Sequence, residues 1–557
     1  MKPLYLIVLL YLFSGFSLKA EEKVHERVYV HTDKDCYIAG EDILLKFYVV
    51  NTDFQPSVLS KVGYVEVCDT GKPQIQLKIA LEKGNGAGKI KIPTDIPSGV
   101  YMLSGYTRYM RNEGENVFFN KQIAIVNAEQ QNSDPKRFEP VERHEIIQEV
   151  QSGEKKPANL LINTNQSEYK NREKVILQLD NIPENAADMV ISVSRNDSIA
   201  FFSETNRPEW AKQVKNTSHF SGQWLPEYEG HIITGRIIPE VQEEQLLTNI
   251  SFVGKDIRYL NGQTDCQNGT ANFYTAGIYG KQQIVASIVS TVHNKVPYRI
   301  DLISPFCEFL PGSLPVLQIY PNEKQLLERY IGVQIKEKTG NDSLYNSIQS
   351  SPYCTFQPVK TYNLDEYTRF GSIGETILEF ITRLRVTSPK GKKVISAYME
   401  DEKQFSVRTL VLLDGVPVYN HEDILQYNPM YIKTVNIYDG RYTFNGEDFE
   451  CIVSFITSEG NLPFFQLNES SQLFNYDCPQ LPLPFEVPDY STERIKNSRK
   501  PDFRHTLYWN PFVEFTKGRP VNLSFYTSDL CGEFKVTVEG ITTNGKMIHG
   551  VSYFQVR

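Results

Sequence analysis

Imidazoles, thiols and paired carboxylates do most of the chemistry of protein active sites, and their spacing in this chain assembles none of it. The nine histidines, His25, His31, His144, His219, His231, His293, His421, His505 and His549, never fall within four residues of one another. No helix therefore presents two imidazoles one turn apart, as a helical zinc site needs. His144-Glu145-Ile146-Ile147-Gln148 has a glutamine where a zinc-protease helix places its second histidine, and His421-Glu422-Asp423 has no third ligand nearby. Both read as polar surface clusters. The eight cysteines, Cys36, Cys68, Cys266, Cys307, Cys354, Cys451, Cys478 and Cys531, contain no Cys-x-x-Cys pair, which excludes a zinc knuckle and a dithiol redox motif. Cys36 and Cys68 are the one pair expected to share a small domain, and their bonding is not fixed by sequence. No Gly-x-Ser-x-Gly elbow occurs. Gly84-Asn85-Gly86-Ala87-Gly88-Lys89 has the glycines and lysine of a phosphate-binding loop, but no Ser or Thr follows and no helical pattern begins there. It reads as a hairpin loop. The 67 acidic residues admit many distant pairs of the kind glycosidases use, and they are read as surface solvation. Trp210, Trp224 and Trp509 could stack on sugars, with Trp224 placed for a loop by Gly222-Gln223-Trp224-Leu225-Pro226. Burial is the commoner fate of tryptophan. No catalytic, cofactor-binding or metal-ligating residue is assigned, and no cofactor is expected.

The elements that would have to position any chemistry are mostly strands. At 557 residues the chain exceeds what one core organises, so several domains are expected. Its 32 tyrosines and 31 phenylalanines favour half-buried pleated surfaces. The net charge of −9 argues against nucleic acid as a partner and names no other. Met1-Lys2-Pro3 followed by an apolar run over 4–16 and Leu18-Lys19-Ala20 has the form of a signal peptide over 1–20. That run is shorter than the roughly 20 residues a spanning helix needs. Export to the periplasm or the outer membrane is expected, with no transmembrane segment in the mature chain.

Short alternating strands separated by turn residues fill 24–127, the spacing of an antiparallel sandwich. A charged, polar linker is expected over 128–158. Over 159–228, Tyr169-Lys170-Asn171-Arg172-Glu173-Lys174-Val175 repeats the Tyr-x-x-x-Glu-x-apolar pattern of Tyr37-Ile38-Ala39-Gly40-Glu41-Asp42-Ile43, with Asn171 or Arg172 in the place of Gly40. Another β module is expected over 229–305, from Ile232-Ile233-Thr234-Gly235-Arg236-Ile237 and the turns Asn268-Gly269 and Ala276-Gly277. From 306 to 460 helix-compatible spacing at 323–333 and 374–384 alternates with strands such as Leu410-Val411-Leu412-Leu413-Asp414-Gly415, an α+β pattern. A Pro-rich linker is expected over 461–500 and a small C-terminal β module over 501–557.

Two stretches resemble known families. Val28-Tyr29-Val30-His31-Thr32-Asp33-Lys34, then Tyr37-Ile38-Ala39-Gly40-Glu41, and later Ile96-Pro97-Ser98-Gly99-Val100-Tyr101, are similar to a macroglobulin-type domain of the alpha-2-macroglobulin family. The module over 229–305 suits the carboxypeptidase-regulatory-like sandwiches. The order of an opening helix at Ser372-Ile373-Gly374-Glu375, a strand ending Asp414-Gly415-Val416-Pro417, and two closing strands resembles the plug domain of TonB-dependent outer-membrane transporters. The barrel of those transporters is missing, since the residues after Gly460 include Cys478-Pro479-Gln480-Leu481-Pro482-Leu483-Pro484 rather than long alternating strands. Protease trapping in the macroglobulin family implies a thioester in the sequence Cys-Gly-Glu-Gln. This chain has Cys531-Gly532-Glu533-Phe534, and phenylalanine supplies no acyl group.

The fold expected is mainly β: several immunoglobulin- or macroglobulin-like sandwiches plus one α+β plug-like domain. The function expected is a non-catalytic modular envelope protein that binds an envelope or outer-membrane protein, as an accessory to TonB-dependent uptake. A secreted β-sandwich hydrolase and a carbohydrate-binding protein are the rival readings.

Overall fold

The computed structural model describes residues 24–127, 138–140, 160–197, 199–201, 210, 214–215, 219–239, 246–265, 267–290, 298–319, 322–339, 357–444, 446–544 and 546–557. The signal-peptide stretch, His144–Gln148 and most of the 128–158 linker lie outside them.

The chain is mainly β, built from packed sandwiches. The first holds eight strands: β1 (Glu26–Thr32), β2 (Cys36–Ile38), β3 (Asp42–Asn51), β4 (Val62–Cys68), β5 (Pro73–Ala80), β6 (Asn85–Lys91), β7 (Gly99–Thr107) and β8 (Phe119–Val126). A three-stranded sheet β1-β3-β6 faces a five-stranded sheet β2-β8-β7-β4-β5. Val28, Val30, Leu45, Phe47, Val65 and Val67 alternate inward and fill the space between the sheets, as the period of two requires. Arg27, Tyr29 and His31 alternate outward on β1, yet they too are buried. Neighbouring units cover that face.

The second sandwich repeats the first strand for strand. Leu161–Thr164, Lys174–Asp180 and Val521–Tyr526 make its three-stranded sheet, while Glu168–Tyr169, Met547–Val556, Gly532–Thr542, Ala186–Arg195 and Thr506–Asn510 make its five-stranded one in the same order. The two expected modules over 159–228 and 501–557 are therefore corrected to halves of one domain. Ala186–Arg195 pairs with Gly532–Thr542 on one side and Thr506–Asn510 on the other, so both sheets of the sandwich are completed only by strands from both halves. Between the fourth and fifth strands the first sandwich has a short turn at 69–72, and the second carries the whole of 196–505.

The Tyr-x-x-x-Glu corner explains why both sequences take this shape. Tyr37 donates its hydroxyl to Asp33 Oδ1 at 2.9 Å, and the same oxygen accepts the Leu44 amide at 3.1 Å. Tyr169 does the same with Asn165 Oδ1 at 2.8 Å, which also accepts the Ile176 amide at 2.8 Å. Glu41 accepts the Ile38 amide at 3.1 Å, and Glu173 the Lys170 amide at 2.6 Å. The turn needs a left-handed residue, met by Gly40 at φ 88° and by Arg172 at φ 56°. Arg172, not Asn171, is the counterpart of Gly40.

The insertion is itself nested. A third sandwich over 231–302 has one four-stranded sheet of its own, and completes the other with Ser471–Asp477 paired to Lys281–Ser290. The stretch expected as a free linker over 461–500 thus supplies a structural strand. A fourth unit over 360–457 has a five-stranded sheet led by the long hairpin Ile432–Phe444 and Glu447–Thr457, with short helices Ile373–Glu379 and His421–Leu425. Its Asp414-Gly415 turn has φ 45° and 78°, and the buried Asp414 carboxylate accepts the Thr457 amide at 2.8 Å and the Leu462 amide at 2.9 Å. Helix α1 (Glu323–Thr339), expected within this unit, packs instead on the first sandwich, where Val333 sits against Gly40. A side chain at Gly40 would collide with it.

Candidate binding surfaces

Two regions could act on other molecules: a cleft where the units meet, and the free end of the fourth unit. The cleft has a volume of about 510 Å³, within the usual range of ligand pockets. The outer face of β3 and β6, helix α1 and the segment 483–509 enclose it.

At its inner end lies a buried chain of charges. Arg329, projecting from α1, donates from Nε to Glu41 Oε1 at 2.8 Å and from Nη2 to the Cys36 carbonyl at 3.0 Å, and reaches Asp197 Oδ2 at 3.5 Å. Lys34 lies 3.1 Å from Glu41, and His505 Nε2 lies 2.6 Å from Asp197. Asp197 and His505 stand at the two ends of the insertion, whose neck is closed by the Arg195 amide donating to the His505 carbonyl at 3.0 Å. Burial alone would raise the Glu41 carboxyl, but Arg329 and Lys34 outweigh it and hold it well below the usual carboxylate range. A glycosidase acid needs the opposite shift. Burial and the adjacent Arg329 lower the His505 pKa, against the pull of Asp197.

Other buried titratable groups tie units together. On the first sandwich, Lys46 is fully buried, 3.0 Å from Asp188 of the second and 3.8 Å above the Phe512 ring. His31 Nδ1 lies 2.6 Å from Glu539, and Tyr29 donates to the same carboxylate at 3.0 Å. Towards the third sandwich, Tyr64 donates to Glu227 at 2.9 Å, and His231 lies between Glu227 at 2.9 Å and the Tyr476 hydroxyl at 2.6 Å. Burial and nearby Lys78 push the His231 pKa down to about 4. Because the folded value lies below the unfolded value of about 6.5, stability is full above pH 6.5 and is lost as pH falls towards 4. Between pH 7 and pH 4.5 the wild type is expected to lose about 2–3 kcal/mol more than His231→Gln. Urea unfolding of both proteins at the two pH values measures it; an unchanged gap would refute the assignment.

The residues weighed from sequence fall into structural places. Trp210 is buried and donates to the Val28 carbonyl at 2.6 Å, and Trp509 stacks on His31. Trp224 is half-buried with the Arg111 guanidinium 3.7 Å from its ring. His421 Nδ1 accepts the Ile395 amide at 2.9 Å at the start of a short helix. Phe534 of the Cys-Gly-Glu-Phe stretch is a buried core side chain on a strand. Cys36 and Cys68 are both free. They sit on β2 and β4, with β8 and β7 between them, about 14 Å apart at strand spacing and beyond disulfide reach. Among the described residues no group of three side chains could hold a metal, and no helix is long and apolar enough to cross a membrane. Sequence reading missed Arg329 entirely. An arginine inside a polar helix carries no local sign that it will be buried against a glutamate 288 positions away.

The second region is apolar. On the fourth unit Leu378 is 82% exposed, Met430 61% and Tyr367 41%, and Phe464, in the segment that leaves it, is 83% exposed. Tyr431 lies 5.2 Å from Phe464, and Phe380 stacks on Tyr367 at 4.2 Å. Arg369 links the two groups by donating to the carbonyls of Pro429 and Ile432, each at 2.6 Å.

No family model and no curated protein matches the sequence. Solved structures that align with it include bacterial alpha-2-macroglobulins. The Escherichia coli protein activated by porcine elastase gives a TM-score of 0.24 at 8% identity, covering 95% of this chain and 44% of that one. Its native conformation gives 0.24 at 9% identity, covering 96% and 40%. The Salmonella protein reacted with methylamine gives 0.16 at 8% identity, covering 95% and 23%. The chain spans less than half the length of each, and scores this low support no statement about activity.

Proposed function

We propose that this chain is a non-catalytic modular protein of the cell envelope that engages an outer-membrane protein through the free end of its fourth unit, as an accessory to TonB-dependent uptake. The observation that carries the reading is the set of exposed apolar side chains here: Phe464 beside Tyr431, Tyr367 stacked on Phe380, and exposed Met430 and Leu378. Large apolar groups clustered in water cost free energy unless a partner covers them, and such patches mark interaction sites. The buried charged groups support the same reading from the other side, because they are engaged in joining units. The plug-like order of elements in this unit, and the signal-like N-terminal stretch, favour an outer-membrane partner.

The test is a photo-crosslinking residue at Phe464 in the full chain, expressed in the native envelope. An adduct with an outer-membrane barrel protein is expected, absent when the crosslinker stands at exposed Lys72 and lost on Leu378→Asp with Met430→Asp. No adduct, or the same adduct from Lys72, would overturn the proposal.

A further inference from the structure

Lys46 lies at the seam between the first two sandwiches with its side chain wholly out of water. Its Nζ donates to Asp188 Oδ2 at 3.0 Å, and two aromatic rings stand beside it, Phe512 with its centre 3.8 Å away and Tyr48 with its centre 5.0 Å away. Among the described residues no other group accepts from Lys46, and Asp188 has no other cation. Nearby lysines are arranged differently. Lys34 shares Glu41 with Arg329, and Lys89 shares Asp42 with Lys336, so in those clusters each carboxylate meets two cations. At Lys46 an ammonium with three N–H donors has one oxygen to receive them and no solvent, an unfavourable arrangement for a buried charge.

The surroundings weaken both charges. Burial pushes the Lys46 ammonium down to about 8 in spite of Asp188, and it raises the Asp188 carboxyl in spite of Lys46. A proton passed across their contact leaves an amine facing a carboxylic acid. Inner strands of separate sheets hold the two side chains there: β3 lies between β1 and β6, and Ala186–Arg195 lies between Gly532–Thr542 and Thr506–Asn510. Nitrogen is thereby fixed against the carboxyl group, the condition under which an intramolecular reaction gains most over its bimolecular counterpart. The Asp188 side chain is 17% exposed, which gives a released water molecule a way out.

We infer that Lys46 and Asp188 condense into an isopeptide bond that staples the first sandwich to the second. Lys46 Nζ bonds to Asp188 Cγ, one Cγ–O bond breaks, and two of the three ammonium protons leave with that oxygen as water. Nothing is oxidised or reduced, and no co-reactant is consumed. The amide that forms carries no charge and keeps one N–H donor in place of three, which removes the desolvation penalty of two buried ions. The link joins strands 142 positions apart in the chain. It is independent of the proposed docking end, which lies on another unit.

Mass spectrometry of a tryptic digest of the full wild-type chain, purified folded and then denatured, tests it. A branched peptide is expected in which 35–61, uncleaved at Lys46, is joined to 175–195, one water lighter than the two together. Fragmentation should place the link at Lys46 and Asp188. Asp188→Ala should release 175–195 as a separate peptide and restore cleavage after Lys46. The wild-type result does not depend on whether the variant folds. Recovery of 175–195 only as a separate peptide of full mass from the wild type, or a Lys46 link that persists in Asp188→Ala, would overturn the inference.

Discussion

A chain ended at Lys500 is expected to lose the second sandwich as a whole, not merely a terminal module. Removing 501–557 strips four strands of eight: Thr506–Asn510, Val521–Tyr526, Gly532–Thr542 and Met547–Val556. Ala186–Arg195 then has no neighbour on either side, and Val190, Ile191 and Val193 lose the side chains that bury them. Most of the 5–15 kcal/mol that holds a domain of this size together should go. Limited proteolysis measures the effect: 160–195 should be digested in the shortened chain and protected in the full one. The converse experiment joins Arg195 to Thr506 through a short turn like that at 69–72. This deletion of the insertion should leave a sandwich that unfolds cooperatively. If 160–195 stays protected after truncation, the halves are independent and the nested arrangement is wrong.

The second large effect is expected at Arg329. Replacing it with methionine keeps much of the apolar stem but removes the guanidinium shared by Glu41 and Asp197, leaving Glu41 only Lys34 and Asp197 only Arg195 and His505. Breaking a buried ion pair from one side costs about 3–5 kcal/mol, whereas replacing both sides with apolar groups is often close to neutral. Arg329→Met should therefore lower the denaturant midpoint strongly, and adding Glu41→Leu should recover part of the loss. Recovery is the informative result, because a helix that merely packed poorly would not be rescued at Glu41. A loss below about 1 kcal/mol would mean that water reaches the pair and screens it.

Why these two sites were hidden from sequence follows from distance along the chain. The Tyr-x-x-x-Glu corner is legible because Tyr37, Asp33, Glu41 and Leu44 bond within 11 positions of one another. Its recurrence at Tyr169 was equally plain, and so was the turn at Asp414-Gly415, where positive φ is needed. The apolar end of the fourth unit was not legible. Met430 and Phe464 look like any core residues in a window of ten, and only the lack of a covering unit among the described residues makes them a surface. Likewise Leu483 and Phe485 read as a Pro-rich linker until α1 and β6 are seen opposite them.

By itself, then, the sequence determined the local elements: mainly β strands with a period of two, glycine and aspartate turns, and a corner motif used twice. These depend on steric and hydrogen-bond preferences within a few residues. Tertiary structure alone decided that the motif's second copy is completed by the last 52 residues, 506–557, and that a third and a fourth unit nest between its strands. It also decided which charges became interior ties and which apolar side chains remained outside. A strand's pattern of alternation specifies that it must pair and bury one face, but many strands satisfy that requirement equally. The choice among them is made by the packing of whole units, which no short window contains.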